Sequence, residues 1–239
     1  MGTYFTYYLT GILVIPVLLF SLIAQGMVKS RFNKYSQIMS RSGMTGADAA
    51  YRLLMLNGIT DVTIQRVGGN LTDNYNPSTK TISLSDGVYN SRSVAAIGIA
   101  CHEAGHACQH AFGYAPLTLR NIVIPATKIG SGLGVPLVLI GVIISSYAVH
   151  SNIGYYIAMA GLVLYSFVAF FQLVTLPVEF DASKRALQTI RDNNFLIEEE
   201  YSGARKVLTA AALTYVAALA SSLVTLLRLA LVIAGGRKR

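Results

Sequence analysis

The chain has no tryptophan, only two cysteines and few charged side chains. Charged residues make up 13% of its 239 residues, and hydrophobic residues make up 53%. Cys101 and Cys108 are predicted to lie on one helix, about 10.5 Å apart along its axis, which excludes a disulfide between them. Both are therefore expected to be small buried thiols in a reducing compartment. Internal repeats and low-complexity tracts are also absent. This composition indicates an integral membrane protein.

Three long runs contain no Asp, Glu, Lys or Arg: Tyr4 to Met27, Ile129 to Val178 and Val207 to Leu227. Because a span needs about 20 apolar residues, the second run is long enough for two spans joined by a short loop. The sequence predicts one membrane-embedded domain, residues 1–239, with spans at about 4–27, 129–148, 155–176 and 207–234 and soluble parts at about 28–120 and 177–206. The fourth segment is alanine-rich at first and could instead pack over an active site.

Basic residues indicate how the spans are oriented. None precedes the first run, which also lacks a clear signal-peptide cleavage site and is expected to be a retained anchor. Lysines and arginines follow the first span and the third span, which places residues 28–120 and 177–206 in the cytoplasm. Arg237 to Arg239 conflict with this orientation unless the fourth segment is re-entrant or interfacial. The net charge of +8 fits anionic lipid headgroups, and no nucleic-acid partner is expected.

The stretch His102-Glu103-Ala104-Gly105-His106 carries the strongest functional signal. In a helix, residues four apart share a face, so both imidazoles can reach one zinc ion at about 2.0 to 2.1 Å. Glu103 then lies beside the ion, where a carboxylate can take a proton from water that attacks a peptide carbonyl. The pattern predicts a hydrolase that binds one Zn²⁺ through His102 and His106 and uses Glu103 as its catalytic base.

Catalytic zinc usually has three protein ligands, so one more must come from elsewhere. His110 lies roughly 12 Å along the helix from His102, too far to share one ion, and is expected to support the site from outside the ligand set or to pack. His150 falls in a loop expected on the far side of the membrane. The acidic run from Glu198 to Glu200 is expected to face water.

Glu179 is the favoured third ligand, with Asp181 as a nearby acidic candidate. Pro177 predicts the start of a helix whose first turns are acidic. Such a helix would present Glu179 inward, beside the apolar Val178 and Phe180.

These residues resemble a known family, the YugP-type neutral zinc metallopeptidases of bacterial membranes. The likeness rests on Ser85-Asp86-Gly87, Ser93-Val94-Ala95-Ala96, the run from His102 to His110 and the run from Pro177 to Ser183, and it extends to residues 210–218. It implies a multi-pass gluzincin of the bacterial cell membrane that cleaves proteins or peptides. It also implies that His102, His106 and Glu179 are the zinc ligands and that Glu103 is the base.

One position departs from the wider gluzincin pattern, which often has an aspartate four residues after the third ligand. Ser183 occupies that position here, and Asp181 lies two residues earlier. Asp181 is therefore expected to orient a ligand histidine or Glu179 from outside the ligand set, and Ser183 is expected to matter much less. The alternative makes Asp181 a helix-start carboxylate that the helix dipole favours.

The soluble part before the zinc helix is predicted to contain a helix and a small antiparallel sheet. The helix covers residues 45–56, with Ala49, Leu53 and Leu56 on one side. Residues 62–67 alternate as in a strand, and residues 71–75 and 81–84 flank a turn-forming segment as in a hairpin. By resemblance, an edge strand would bind an extended substrate, or the hairpin would merely cover the zinc helix. The predicted fold class is mainly α, an integral membrane metallopeptidase with this sheet.

The features together predict a zinc endopeptidase with a cytoplasm-facing site whose partners are a protein or peptide substrate and the lipid bilayer. Tyr215 is either a second donor to the oxyanion or a tyrosine packed among helices. Two other functions stay open. In a site-2-type intramembrane protease the zinc helix would itself span the membrane, but residues 94–115 are rich in Ala and Gly. In a non-catalytic scaffold zinc would be structural, but Glu103 is present.

Overall fold

The computed structural model describes residues 10–147 and 151–236. It is mainly helical with one small sheet, which confirms the predicted fold class. In these ranges the helices are α1 (Val14–Ser36), α2 (Gly46–Leu56), α3 (Asp86–Tyr89), α4 (Val94–Ala111), α5 (Ala115–Tyr147), α6 (Ile153–Asp192) and α7 (Glu198–Gly236), and the strands are β1 (Thr63–Val67), β2 (Asn74–Asn76) and β3 (Thr81–Ser85). His150 and the basic residues Arg237 to Arg239 lie outside the described residues.

The chain divides into two compact units. The first, called the helical unit, comprises Met1–Ile23, Leu119–Leu176 and Tyr215–Arg239. The second, called the α/β unit, comprises Ala24–Thr118 and Pro177–Thr214. The α/β unit contains the sheet and α2 to α4, together with the residues proposed as metal ligands.

Four of the described helices, α1, α5, α6 and α7, are long and apolar enough to cross a membrane. The predicted spans 129–148, 155–176 and 207–234 fall largely within α5, α6 and α7, and each of these helices is longer than its predicted span. With 40 residues, α6 extends for about 60 Å, which is twice the hydrocarbon thickness of a typical bilayer. Its final part, from Pro177, belongs to the α/β unit.

The prediction that Pro177 starts a helix was wrong, because this proline lies inside α6. A proline removes one backbone hydrogen bond from a helix and bends it, but long helical segments on both sides maintain the helix here. Asp181 is consequently not a helix-start carboxylate, since the helix dipole acts mainly in the first turn. The helix α7 is also continuous, so the fourth predicted span does not fold back as a re-entrant segment.

The sheet is mixed, whereas the sequence predicted an antiparallel one. The predicted hairpin is present, since β2 pairs antiparallel with β3 through Tyr75 and Ile82. However, β1 pairs with β3 in parallel, so the strand order is β1-β3-β2. β3 occupies the central position and is the most buried of the three strands, with Ile82 and Leu84 fully buried. Both β1 and β2 are edge strands, and β2 packs against α4.

The helix α4 lies in the core of the α/β unit, and most of its residues are buried. Ser93 caps its start by accepting a hydrogen bond from the Ala96 backbone N–H at 3.2 Å. The helix α2 packs against α4 and buries Leu53 as predicted. The predicted face of α2 is wrong at Leu56, which is half exposed because it is the last helical residue, and Leu54 is buried instead.

Both cysteines are buried and unbridged, as predicted. Burial raises the pKa of the Cys101 thiol and raises the pKa of Cys108 to about 11. Since the thiolate is the reactive form, these cysteines are packing residues at neutral pH.

Candidate metal centre

The three predicted ligands, His102, His106 and Glu179, come together in the α/β unit. Both histidines project from α4, and Glu179 projects from α6. The Nε2 atoms of His102 and His106 lie 3.2 Å and 3.5 Å from Glu179 Oε2. One potential ligand atom from each residue lies within 4.8 Å of those of the other two. Glu179 is 77 positions from His102 and 73 positions from His106 in the chain. The fold thus brings the three side chains together as one cluster of potential metal-ligand atoms.

The donor distances fit a zinc ion. Ligand atoms bonded at about 2.0 to 2.1 Å to a tetrahedral zinc are about 3.4 Å apart, close to the two nitrogen–oxygen distances in this cluster. Two imidazoles and one carboxylate also form a known catalytic ligand set that leaves a fourth position for water. The three side chains are largely buried, where ionisable groups are costly unless they are paired or bind a metal. They can therefore hold one zinc ion.

A glycine inside the motif lets the two helices approach each other closely. A Cβ atom added at Gly105 would lie 2.7 Å from the backbone oxygen of Ala182 in α6, which is closer than side chains pack. Ala182 is itself fully buried. Because Gly105 has no side chain, α4 and α6 can pack near enough for Glu179 to reach both histidines.

The hydrogen bonds of Gln109 determine which nitrogen of His106 carries the proton. Gln109 Nε2 donates to the Val178 backbone oxygen at 2.7 Å and to Asp181 Oδ2 at 2.9 Å. Its Oε1 lies 3.0 Å from His106 Nδ1 and can only accept a hydrogen bond. The proton of neutral His106 is therefore held on Nδ1, which leaves the Nε2 lone pair available beside Glu179.

Asp181 is connected to His106 through Gln109 and makes no direct bond to the imidazole among the described contacts. Arg185 Nε donates to the same Asp181 oxygen at 2.6 Å, so the carboxylate is held from two sides. The result is a chain of side chains, Arg185, Asp181, Gln109 and His106, that links α6 to α4. The predicted orienting role of Asp181 stays a prediction, and these hydrogen bonds are the contacts through which Asp181 would orient His106.

Ser183, which the sequence analysis expected to matter little, contacts the other candidate ligand, His102. Its Oγ lies 3.1 Å from His102 Nδ1. When His102 binds a metal through Nε2, its Nδ1 carries the proton and donates to this hydroxyl. A serine thus occupies, four residues after Glu179, the position from which an aspartate often orients the histidine in gluzincins.

Glu103 follows His102 on α4, and its side chain is buried. Burial raises the pKa of Glu103, the charges of His102 and His106 oppose this rise, and the charge of Glu179 adds to it. A raised pKa makes a carboxylate a better acceptor for a proton from water, whereas a bound cation would lower the pKa again. Its burial beside the two histidines makes Glu103 a candidate general base.

His110 is not part of this cluster, and Tyr215 belongs to the other unit. The exposed His110 is near the end of α4, and its Nδ1 lies 2.8 Å from the hydroxyl of Tyr75 on β2. This contact joins the helix to the sheet, which is a packing role for His110. Tyr215 lies on α7 and belongs to the helical unit, so its role as an oxyanion donor stays a prediction.

The acidic run in the first turn of α7 was expected to face water, and this was wrong for Glu200. Its side chain is buried, and its carboxylate accepts hydrogen bonds from the backbone N–H groups of Arg41 at 2.9 Å and Ile197 at 3.3 Å. Glu200 thus anchors the start of α7 to the segment that follows α1 and is not available as a metal ligand.

Comparison with known proteins agrees with this site. A model of the family described as "Putative neutral zinc metallopeptidase" matches residues 10–234. The chain belongs to this family. A protein of Bacillus subtilis (strain 168) described as "Putative membrane protease YugP" is 45% identical over 225 residues, which cover 94% of this chain and 96% of that protein. No solved structure matches the chain.

Gln109 is a residue of this candidate metal centre that the sequence analysis missed. It is fully buried, between His106 and Asp181. The sequence did contain a pattern that indicates Gln109, since an amide three residues after a ligand histidine lies on the same face of the helix. A buried amide needs hydrogen-bond partners, and a histidine that binds metal needs a partner for its second nitrogen.

Proposed function

We propose that the protein is a zinc-dependent membrane endopeptidase that hydrolyses peptide bonds with metal-activated water. The observation that carries the proposal is the cluster of His102, His106 and Glu179, with ligand atoms within 4.8 Å of one another. Glu103, buried next to His102, supplies the carboxylate that the reaction needs. The family gives the reaction class, and the relative is described as a membrane protease.

The proposed mechanism divides the work between the ligands and Glu103. His102, His106 and Glu179 would hold the zinc ion, which when bound lowers the pKa of a water and polarises a carbonyl. Glu103 takes a proton from the water that attacks the peptide carbonyl and then gives it to the leaving amine. Gln109 and Ser183 keep both histidines in the tautomer that leaves Nε2 free for the metal.

The two other functions are less well supported. A site-2-type protease needs a zinc helix that spans the membrane, but α4 is not among the four described helices that are long and apolar enough. It lies in the core of the α/β unit, against α2 and the sheet. A purely structural zinc site needs no base, and a buried glutamate next to a ligand would only destabilise it.

Removal of the metal is expected to abolish cleavage. Purified protein in detergent, treated with a zinc chelator and desalted, should cleave an unfolded protein such as casein at least about 100-fold more slowly, because metal catalysis contributes several kcal/mol. Addition of stoichiometric zinc should restore the rate. The measurement is the initial rate of fluorescent peptide release beside metal analysis of the same sample. Undiminished cleavage by protein shown to contain no metal would overturn the proposal.

We also propose a multi-pass location in the bacterial cell membrane with the metal centre on the cytoplasmic side. The four apolar helices support the first point. Support for the second comes from the basic residues, which follow the first and third predicted spans on the side that carries the ligands.

The orientation predicts a labelling pattern in intact cells. Single cysteines at Ser42 and Asn193, in a variant with Cys101 and Cys108 replaced by alanine, should be protected from a membrane-impermeant thiol reagent. A single cysteine at Ser151 should be labelled, because it lies in the loop between the second and third predicted spans. Permeabilised cells provide the control, in which all three positions react. Labelling of the first two and protection of the third would reverse the orientation.

A further inference from the structure

A cleft of about 420 Å³ between α1 and α7, within the α/β unit, has an unusual lining. Arg31 of α1 and Arg205 and Lys206 of α7 line it, together with two hydroxyl side chains, Ser202 and Thr209. The rest of its lining is apolar, and no carboxylate lines it. The cleft therefore combines three cations and two hydroxyl groups in one concave surface.

The three cations have no anionic partner within residues 10–147 and 151–236. None of Arg31, Arg205 and Lys206 takes part in an ion pair or a side-chain hydrogen bond there. Like charges that share a cleft repel each other, and an anion bound between them would remove this repulsion. The charge pattern thus favours an anionic ligand.

A neighbouring cleft provides a contrast. It has a volume of about 570 Å³, is also lined by Arg205, and contains Lys184 and Arg191. However, Asp192 lines it too, and the Arg191 guanidinium lies over the Tyr201 ring at 5.7 Å. This second cleft contains a carboxylate, and one of its cations already contacts an aromatic ring, so the cleft with Arg31 is the better anion site.

The sequence places this cleft at the boundary of two apolar runs. Met27, which also lines the cleft, lies two residues before Lys29, the first charged residue after the uncharged run that includes Tyr4 to Met27. Lys206 directly precedes the uncharged run from Val207 to Leu227. Positions at which an apolar helix first carries Lys or Arg are those that meet lipid headgroups. Two separate helices thus bring their boundary cations to the same cleft.

We propose that this cleft binds the phosphate of an anionic phospholipid headgroup. Arg31, Arg205 and Lys206 would bind the phosphate oxygens, and the hydroxyls of Ser202 and Thr209 would donate hydrogen bonds to the headgroup. The inference rests on the membrane location proposed above, but it concerns lipid binding and does not require peptidase activity. The lipid would tie α7 to α1 at the membrane surface.

Native mass spectrometry of the purified protein in detergent, titrated with phosphatidylglycerol, tests this site. The variant with Arg31→Gln, Arg205→Gln and Lys206→Gln should bind this lipid on the order of 100-fold more weakly than wild type, because each cation near a headgroup contributes about 1 kcal/mol. Phosphatidylcholine should bind wild type weakly and the variant equally weakly. The three side chains are exposed, so the fold should persist, and far-UV circular dichroism and zinc content verify this.

A matched variant separates a specific site from general surface charge. Lys29→Gln, Lys34→Gln and Arg41→Gln remove the same charge near the end of α1 from residues that do not line the cleft, so binding should fall by less than about tenfold. Equal losses in the two triple variants would overturn the proposal. Equal binding of phosphatidylcholine and phosphatidylglycerol by wild type would also overturn it. Displacement of the lipid by inorganic phosphate at equal concentration would make free phosphate the ligand and overturn the lipid assignment.

Discussion

Glu103→Gln is expected to lower kcat/KM for cleavage of an unfolded protein by about 10²- to 10⁴-fold, while the zinc content stays near that of wild type. Glutamine has nearly the shape of glutamate but cannot take a proton from water. The three ligand side chains are unchanged, and their donor atoms are within 4.8 Å of one another without any contribution from Glu103. The Glu103→Gln variant should therefore lose activity and keep its zinc.

Matched measurements make this result specific to the carboxylate beside the metal. Glu199→Gln removes an exposed carboxylate from the first turn of α7 and should leave the rate near that of wild type. Metal analysis of Glu103→Gln after desalting checks that the site still binds zinc. Near-normal turnover with bound zinc would show that another group accepts the proton, and Glu103 would lose its assignment as the base.

The second large effect is expected on metal binding. His102→Ala, His106→Ala and Glu179→Ala should each weaken zinc affinity by more than about 100-fold, which is the upper value for the loss of an outer partner of a ligand. Each change removes one of only three protein donors. Zinc titration with a chromophoric competitor gives the affinity directly. Stoichiometric, tightly held zinc in Glu179→Ala would mean that another carboxylate completes the site.

The residues that orient the histidines should give intermediate losses in the same titration. Gln109→Leu and Ser183→Ala are each expected to weaken zinc binding by about 10- to 100-fold, because each leaves one ligand imidazole without a partner at Nδ1. His110→Ala is the control on the same helix, since its imidazole contacts Tyr75 outside the cluster. A smaller loss in Gln109→Leu than in His110→Ala would contradict the orienting role.

Local patterns in the sequence determined most of the architecture. Long uncharged runs predicted the apolar helices, since a bilayer sets how many apolar residues a span needs. Alternation and turn-forming residues predicted the β2–β3 hairpin. The spacing of His102 and His106 on one helix face predicted a shared ligand position, because that geometry depends only on residues four apart. Glu179 was favoured over the other candidate ligands and was supported by resemblance to a family, since no local spacing relates it to the histidines.

The tertiary structure alone decided the features that depend on contacts between distant residues. β3 occupies the centre of the sheet with its apolar side chains buried, and it pairs with β1 in parallel. Gln109 reaches Asp181 across 72 positions of the chain, and Ser183 reaches His102 across 81. These bonds exist because Gly105 allows α4 to approach α6 closely. Hydrogen-bond partners of buried polar groups are set by such packing, so no periodicity in one segment specifies them.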